Sequence, residues 1–160
     1  MDDRVLRYTL TSAAATAAFA VRLGACLRAG DTLLLEGPIG AGKTHFARSL
    51  IQSRLVFPED VPSPTFTLIQ TYETEESEIW HADLYRLNGP ADVMELGLVD
   101  AFDTAICLVE WPDRLQSYAP EHALTLRLIP TAEDETRDIE LTWSAPSWDA
   151  RLKVYLDAFA

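Results

Sequence analysis

Gly37-Pro38-Ile39-Gly40-Ala41-Gly42-Lys43-Thr44 fits G-x-x-x-x-G-K-[ST], the phosphate-binding P-loop pattern, and its flanks decide the fold. Before it runs Asp31-Thr32-Leu33-Leu34-Leu35-Glu36, a short apolar stretch with strand character. After it, His45 to Ile51 sets Phe46, Leu50 and Ile51 on one helical face. A chain that reverses around a phosphate needs positions without a Cβ, and the glycines provide them. Backbone N–H groups at the following helix start then hold the anion. Lys43 is placed to reach the β- and γ-phosphates, and the Thr44 hydroxyl to ligate Mg²⁺. The nucleotide-contact set expected from this stretch is Gly37, Gly40, Ala41, Gly42, Lys43, Thr44 and His45.

A chain of 160 residues is expected to form one domain with a sizeable core. Apolar content of 48% and charged content of 24% are ordinary for a globular protein. No apolar run approaches the ~20 residues of a membrane span, so no membrane association is expected. The opening Met1-Asp2-Asp3 is acidic where a secretory leader is basic, which favours a cytoplasmic location. Cys26 and Cys107 lie in apolar stretches and read as reduced core thiols. No Cys/His cluster has metal-ligand spacing. Charge is uneven: residues 1–60 carry seven Lys/Arg and six Asp/Glu, residues 61–160 six and nineteen. A chain this acidic, with no basic cluster outside the loop region, is poorly suited to a nucleic acid backbone, and its macromolecular partner is expected to be a protein. Acidity that serves solubility alone is the other reading.

Thr11-Ser12 followed by Ala13 to Leu27 reads as a capped amphipathic helix stopped by Gly30. The P-loop helix is expected to end near Phe57-Pro58. Val61-Pro62-Ser63-Pro64 is a rigid connector, and Thr65 to Tyr72 a β-branched, aromatic strand. Ile79 to Asp83 should pair antiparallel with it, because the acidic link is too short for a crossover helix. Ala91 to Phe102 reads as one or two short helices interrupted at Gly97, Thr104 to Glu110 as a buried strand, and Pro112 to Ser117 as helical. His122 opens a strand, Ala123 to Ile129 and Arg137 to Trp143 form a hairpin, and Ser147 caps a last helix to Phe159. The order predicts an α/β fold, a P-loop NTPase-like three-layer sandwich with parallel strands around the loop and antiparallel additions.

A P-loop needs an acidic partner at the end of a neighbouring strand to hold Mg²⁺. Ala105-Ile106-Cys107-Leu108-Val109-Glu110, an apolar strand ending in a carboxylate, is the better candidate, since it sets Glu110 at the carboxyl edge of the sheet. Asp83, ending a more polar strand, is the second. No Asn-Lys-x-Asp guanine-recognition segment occurs, which favours ATP over GTP. The scattered arginines weigh against the arginine-rich lid of a small-metabolite kinase. The base pocket has no motif; the Thr11-Ser12 helix start and the Arg137 region both stand as candidates.

The combination of Gly40-Ala41-Gly42-Lys43-Thr44, Ser63-Pro64-Thr65-Phe66, His81-Ala82-Asp83-Leu84-Tyr85-Arg86-Leu87, Glu95-Leu96-Gly97-Leu98 and Leu108-Val109-Glu110-Trp111-Pro112 resembles the TsaE (YjeE) family in order and spacing, over roughly residues 10 to 140. The resemblance implies a bacterial ATPase needed to make N6-threonylcarbamoyladenosine at position 37 of tRNAs. It also implies TsaB and TsaD as partners, with TsaD performing the transfer and slow ATP hydrolysis resetting the complex. On this resemblance Lys43 and Thr44 are the P-loop lysine and metal-ligating threonine, and Glu110 the acidic residue near Mg²⁺. Asp83 positions or polarises the attacking water, or holds the metal through one. Thr65 is either a switch-like threonine sensing the γ-phosphate or a hydroxyl capping the Ser63-Pro64 turn. Trp111 lies near the nucleotide or covers an edge. Arg86 pairs with acids near the site or in an ordinary surface salt bridge. Pro38-Ile39 departs from the family's acidic-Leu pair, and Pro38 removes one loop N–H. The same residues are compatible with a nucleotide-gated binding module whose hydrolysis is incidental.

Overall fold

The strand that feeds the loop sits inside a seven-stranded mixed sheet in this computed structural model, which describes residues 3–159. The strands are β1 (Arg4–Leu10), β2 (Thr32–Glu36), β3 (Ile69–Glu73), β4 (Glu78–Asp83), β5 (Ile106–Glu110), β6 (Leu124–Pro130) and β7 (Arg137–Trp143). Their order is β1-β7-β6-β2-β5-β4-β3. The β6-β2-β5-β4 block is parallel, while β1-β7, β7-β6 and β4-β3 are antiparallel. The expected parallel centre with antiparallel additions is therefore present.

Alternation along each strand assigns side chains to two layers. Leu33 and Leu35 of β2 and Leu108 of β5 face α1 (Ala13–Cys26), α2 (Lys43–Gln52) and α5 (Ser147–Leu156), in a core with Phe19, Phe46, Leu50 and Trp148. Leu34, Cys107 and Val109 face the other way, against α3 (Pro90–Glu95), α4 (Leu98–Ala101) and a 3₁₀ segment, Pro112–Tyr118, through Val93, Leu98 and Leu115. Central strands covered on both faces must be apolar throughout, which is why β2 and β5 read as unbroken hydrophobic runs. Each fully buried Leu or Phe there contributes about 1.5–3 kcal/mol. Cys26 and Cys107 are both free and buried, as their apolar settings suggested. No helix among the described residues is long and apolar enough to cross a membrane.

Several elements differ from expectation, each for a local reason. Residues 4–10, unassigned from sequence, form the edge strand β1, whose Leu6, Tyr8 and Leu10 turn inward while Val5, Arg7 and Thr9 stay exposed. The P-loop helix stops at Gln52, short of Phe57: the Ser53 hydroxyl donates to Leu50 O at 2.6 Å and Arg54 N to Ile51 O at 2.9 Å. The strand expected from Thr65 begins only at Ile69. A turn closed by Leu68 N and Pro64 O at 2.7 Å, with Leu68 at φ +68°, takes the residues between. His122 sits in a turn before β6, with Nε2 2.9 Å from Gly30 O. Ser147 is the first residue of α5 rather than its cap, with Pro146 before it and no side-chain cap among the described residues; α5 ends at Leu156, and a 3₁₀ turn, Asp157–Phe159, carries the helical stretch to its expected end. The Ser12 cap of α1 and the break at Gly97 are as expected.

Candidate functional site

β2 ends at Glu36, and the loop from Gly37 to Gly42 turns back on itself before α2 starts at Lys43. Gly37 (φ +151°) is required by a close approach, since a Cβ there would stand 2.8 Å from Leu128 O on the neighbouring β6. Gly40 (φ +84°) needs its left-handed backbone although nothing crowds it. No side chain caps α2, so the amides of its first turn remain available to an anion.

The carboxyl ends of β4 and β5 lie beside this loop. Leu35 of β2 pairs with Glu110 of β5, and Glu110 pairs with Asp83 of β4. Alternation turns Leu108 and Glu110 toward the α2 layer, so Glu110 meets the start of that helix. The Thr44 hydroxyl donates to Glu110, its Oγ1 3.1 Å from Oε1 and 3.2 Å from Oε2. Glu110 is 2% exposed and also contacts His81, whose Nε2 is 2.7 Å from Oε2. Asp83 Oδ1 accepts the Tyr85 N–H at 3.0 Å, and Oδ2 has no hydrogen-bond partner among the described residues.

Lys43 is buried at the loop's centre. Its ammonium donates to Gly37 O and Pro38 O and rests 3.9 Å from the centroid of the Trp111 ring. Burial pushes the Lys43 ammonium below its ordinary range, and the Glu110 and Asp83 carboxylates oppose that shift. Trp111 follows β5 at φ +58° and packs on Tyr85 with ring centroids 4.9 Å apart. Thr65, Asp83, Glu110, Trp111, Lys43 and Thr44 all line one cleft of about 440 Å³ with residues 38–42. Two hard oxygen donors in its lining, from Thr44 and Glu110, suit Mg²⁺, which uses one or two protein oxygens with phosphates and water. Among the described residues no cluster of three or more His, Cys, Asp or Glu forms a protein cage for a metal.

Other residues take places the sequence left open. His45 lies outside the cleft, in an adjoining cavity of about 230 Å³ with Ala13, Thr16, Glu135 and Arg137. The two candidate base regions, the α1 start and Arg137, thus meet in one cavity, and Arg137 Nε donates to Ala41 O of the loop at 2.9 Å. Gly37 does not line the cleft; it lines a second cavity with Glu36, Trp111, Pro112 and Asp113. The Thr65 hydroxyl is 2.6 Å from that of Ser63, so it joins the turn and lines the cleft together. Arg86 corrects both of its readings: among the described residues it makes no ion pair, and its guanidinium stacks 4.5 Å from the exposed Phe66 ring. Tyr85 and His81 were missed as site residues. The signal for His81 was its place two residues before Asp83, on the same strand face.

A family model described as threonylcarbamoyl adenosine biosynthesis protein TsaE matches residues 10–139. The chain belongs to the TsaE family. Its relatives include the TsaE protein of Rickettsia bellii, 36% identical over 126 residues, 79% of this chain and 88% of the relative. That of Bacillus subtilis is 34% identical over 138 residues, 86% of this chain and 85% of the relative. The crystal structure of Bacillus subtilis YdiB superposes with a TM-score of 0.80 at 26% identity, covering 99% of this chain and 98% of that one. The TsaE match contains the loop, both strand-end carboxylates and every cleft residue, whereas most of β1 and all of α5 fall outside it.

Proposed function

We propose that this chain is a Mg²⁺-dependent, slowly hydrolysing ATPase subunit of N6-threonylcarbamoyladenosine formation on tRNA, with a P-loop NTPase-like fold, acting in the cytoplasm on a TsaB–TsaD complex. The observation that carries it is the approach of Thr44 to Glu110 at 3.1 Å, in the cleft that Lys43, Thr65 and Asp83 also line. Family membership supports the pathway, and the chemistry of the cleft supports the reaction.

The loop amides and the α2 N-terminus cradle the β-phosphate. Lys43 leaves its loop carbonyls and Trp111 to meet the γ-phosphate, exchanging neutral acceptors for an anion. Asp83, with Oδ1 fixed by Tyr85, has Oδ2 left to orient a water in line with the γ-phosphorus. That water's oxygen bonds to phosphorus as the bond to the ADP oxygen breaks, giving ADP and inorganic phosphate. Mg²⁺, when bound, would supply neutralisation of the phosphate charge. Thr44 and Glu110 would hold it, Glu110 directly or through water. Thr65 closes on the γ-phosphate, and the base occupies the cavity beside His45, Thr16 and Arg137. Among the described residues no arginine lines the cleft, so developing charge is incompletely stabilised until a partner closes the site.

The test is reconstituted tRNA threonylcarbamoylation with TsaB and TsaD, with and without this chain, over one and many turnovers. The expected result is weak ATPase activity alone, stimulation by TsaB–TsaD, and a multiple-turnover requirement for the chain. Vigorous hydrolysis that ignores the partners would count against the proposal. With acidic residues dominating beyond residue 60, the isolated chain is expected to show no salt-sensitive tRNA affinity.

A further inference from the structure

His81 has no part in the reaction as drawn and does not line the cleft, yet it makes a fully buried polar contact with Glu110, which does. Alternation along β4 puts Ile79, His81 and Asp83 on the α2 side of the sheet. His81 pairs with Leu108, so Glu110 lies two residues further along β5, a diagonal neighbour that an imidazole can reach. The ring is 0% exposed, and Nε2 stands 2.7 Å from Glu110 Oε2. Nδ1 is buried with no hydrogen-bond partner among the described residues. A proton on Nδ1 would be a buried donor without an acceptor, so the proton sits on Nε2, where the carboxylate accepts it.

We propose that His81 is a positioning residue for the metal site: by donating Nε2–H to Oε2 it fixes the Glu110 carboxylate, leaving Oε1 and the Thr44 hydroxyl for hydrated Mg²⁺. This inference rests on the reading of the cleft as a Mg–nucleotide site. Without the bond, only the Thr44 hydroxyl would orient a carboxylate that must meet a hard cation in one orientation, and that hydroxyl is itself needed for the metal.

The test uses the full chain and a fluorescent, non-hydrolysable ATP analogue, titrated in EDTA and across a Mg²⁺ series, with melting curves for each variant. His81→Leu is expected to raise the half-saturating Mg²⁺ concentration roughly 10–100-fold, with affinity in EDTA changed by no more than about twofold. His81→Gln, whose amide N–H reaches the same oxygen, should restore the wild-type Mg²⁺ dependence. His81→Asn, polar but too short, should behave as His81→Leu does, and it decides the matter if the leucine variant does not fold. Wild-type Mg²⁺ dependence in His81→Leu or His81→Asn, or a loss in His81→Gln as large as theirs, would overturn the inference alone. Absence of any Mg²⁺ effect in the wild type would overturn the site reading as well.

Discussion

Thr44 and Glu110, 66 residues apart in the chain, meet with Oγ1 3.1 Å from Oε1, joining the start of α2 to the end of β5. The bond makes one unit of the two groups proposed to hold Mg²⁺. Thr44→Ser keeps the hydroxyl and should retain Mg²⁺-dependent nucleotide binding. Thr44→Val removes it, and the Mg²⁺ requirement should rise by roughly tenfold or more, read by titrating Mg²⁺ against bound nucleotide.

Lys43 rests on Trp111, and in the proposed reaction it leaves that ring for a phosphate. Nucleotide addition should therefore change tryptophan emission, and Trp111→Phe should abolish the change while binding persists. Lys43→Met removes a charge-assisted hydrogen bond of about 1.5–3 kcal/mol, a loss of roughly 10–150-fold in affinity by calorimetry.

The downward shift of Lys43 by burial sets the sign of a pH effect. The bound phosphates favour the charged form, so affinity is fully present below the pKa of free Lys43. It falls as pH rises through that pKa, earlier than a lysine at 10.5 would allow. Calorimetric titrations at rising alkaline pH, with Lys43→Arg as the non-titrating control, check this.

Gly37→Ala would drive a Cβ to within 2.8 Å of Leu128 O at an unfavourable φ, while Gly40→Ala meets only the φ penalty. The first should lower unfolding free energy in urea by about 1–3 kcal/mol and the second by less. Both should weaken nucleotide binding by moving loop amides.

Burial pushes the Cys107 thiol up to about 12 and also raises Cys26. Neither should react with a thiol reagent at mildly alkaline pH in the native protein, and both should react after denaturation. Labelling followed by mass measurement reads this out.

Legibility followed the range of the forces involved. β5 was readable because a strand buried on both faces must be apolar, and its terminal glutamate broke that run. β1 was not assigned although its burial alternates regularly, because apolar Val5 faces out and charged Arg4 faces in, so the strand gains meaning only from its pairing with β7. The segment from Thr65 was β-branched enough to suggest a strand, but the turn closed by Leu68 on Pro64 prevailed. Arg86 looked like an ion-pairing residue, and only its neighbour Phe66 redirected it.

By itself the sequence determined the strand–loop–helix unit, the glycine positions, the two strand-end carboxylates and the family, because these depend on spacing along a few tens of residues. The tertiary structure decided that Glu110 serves Thr44 and His81 at once, that Lys43 waits on Trp111, and that the α1 start, His45 and Arg137 enclose one cavity. Those pairings depend on sheet order and register, which side chains distant in the chain set jointly through packing, and no local pattern encodes them.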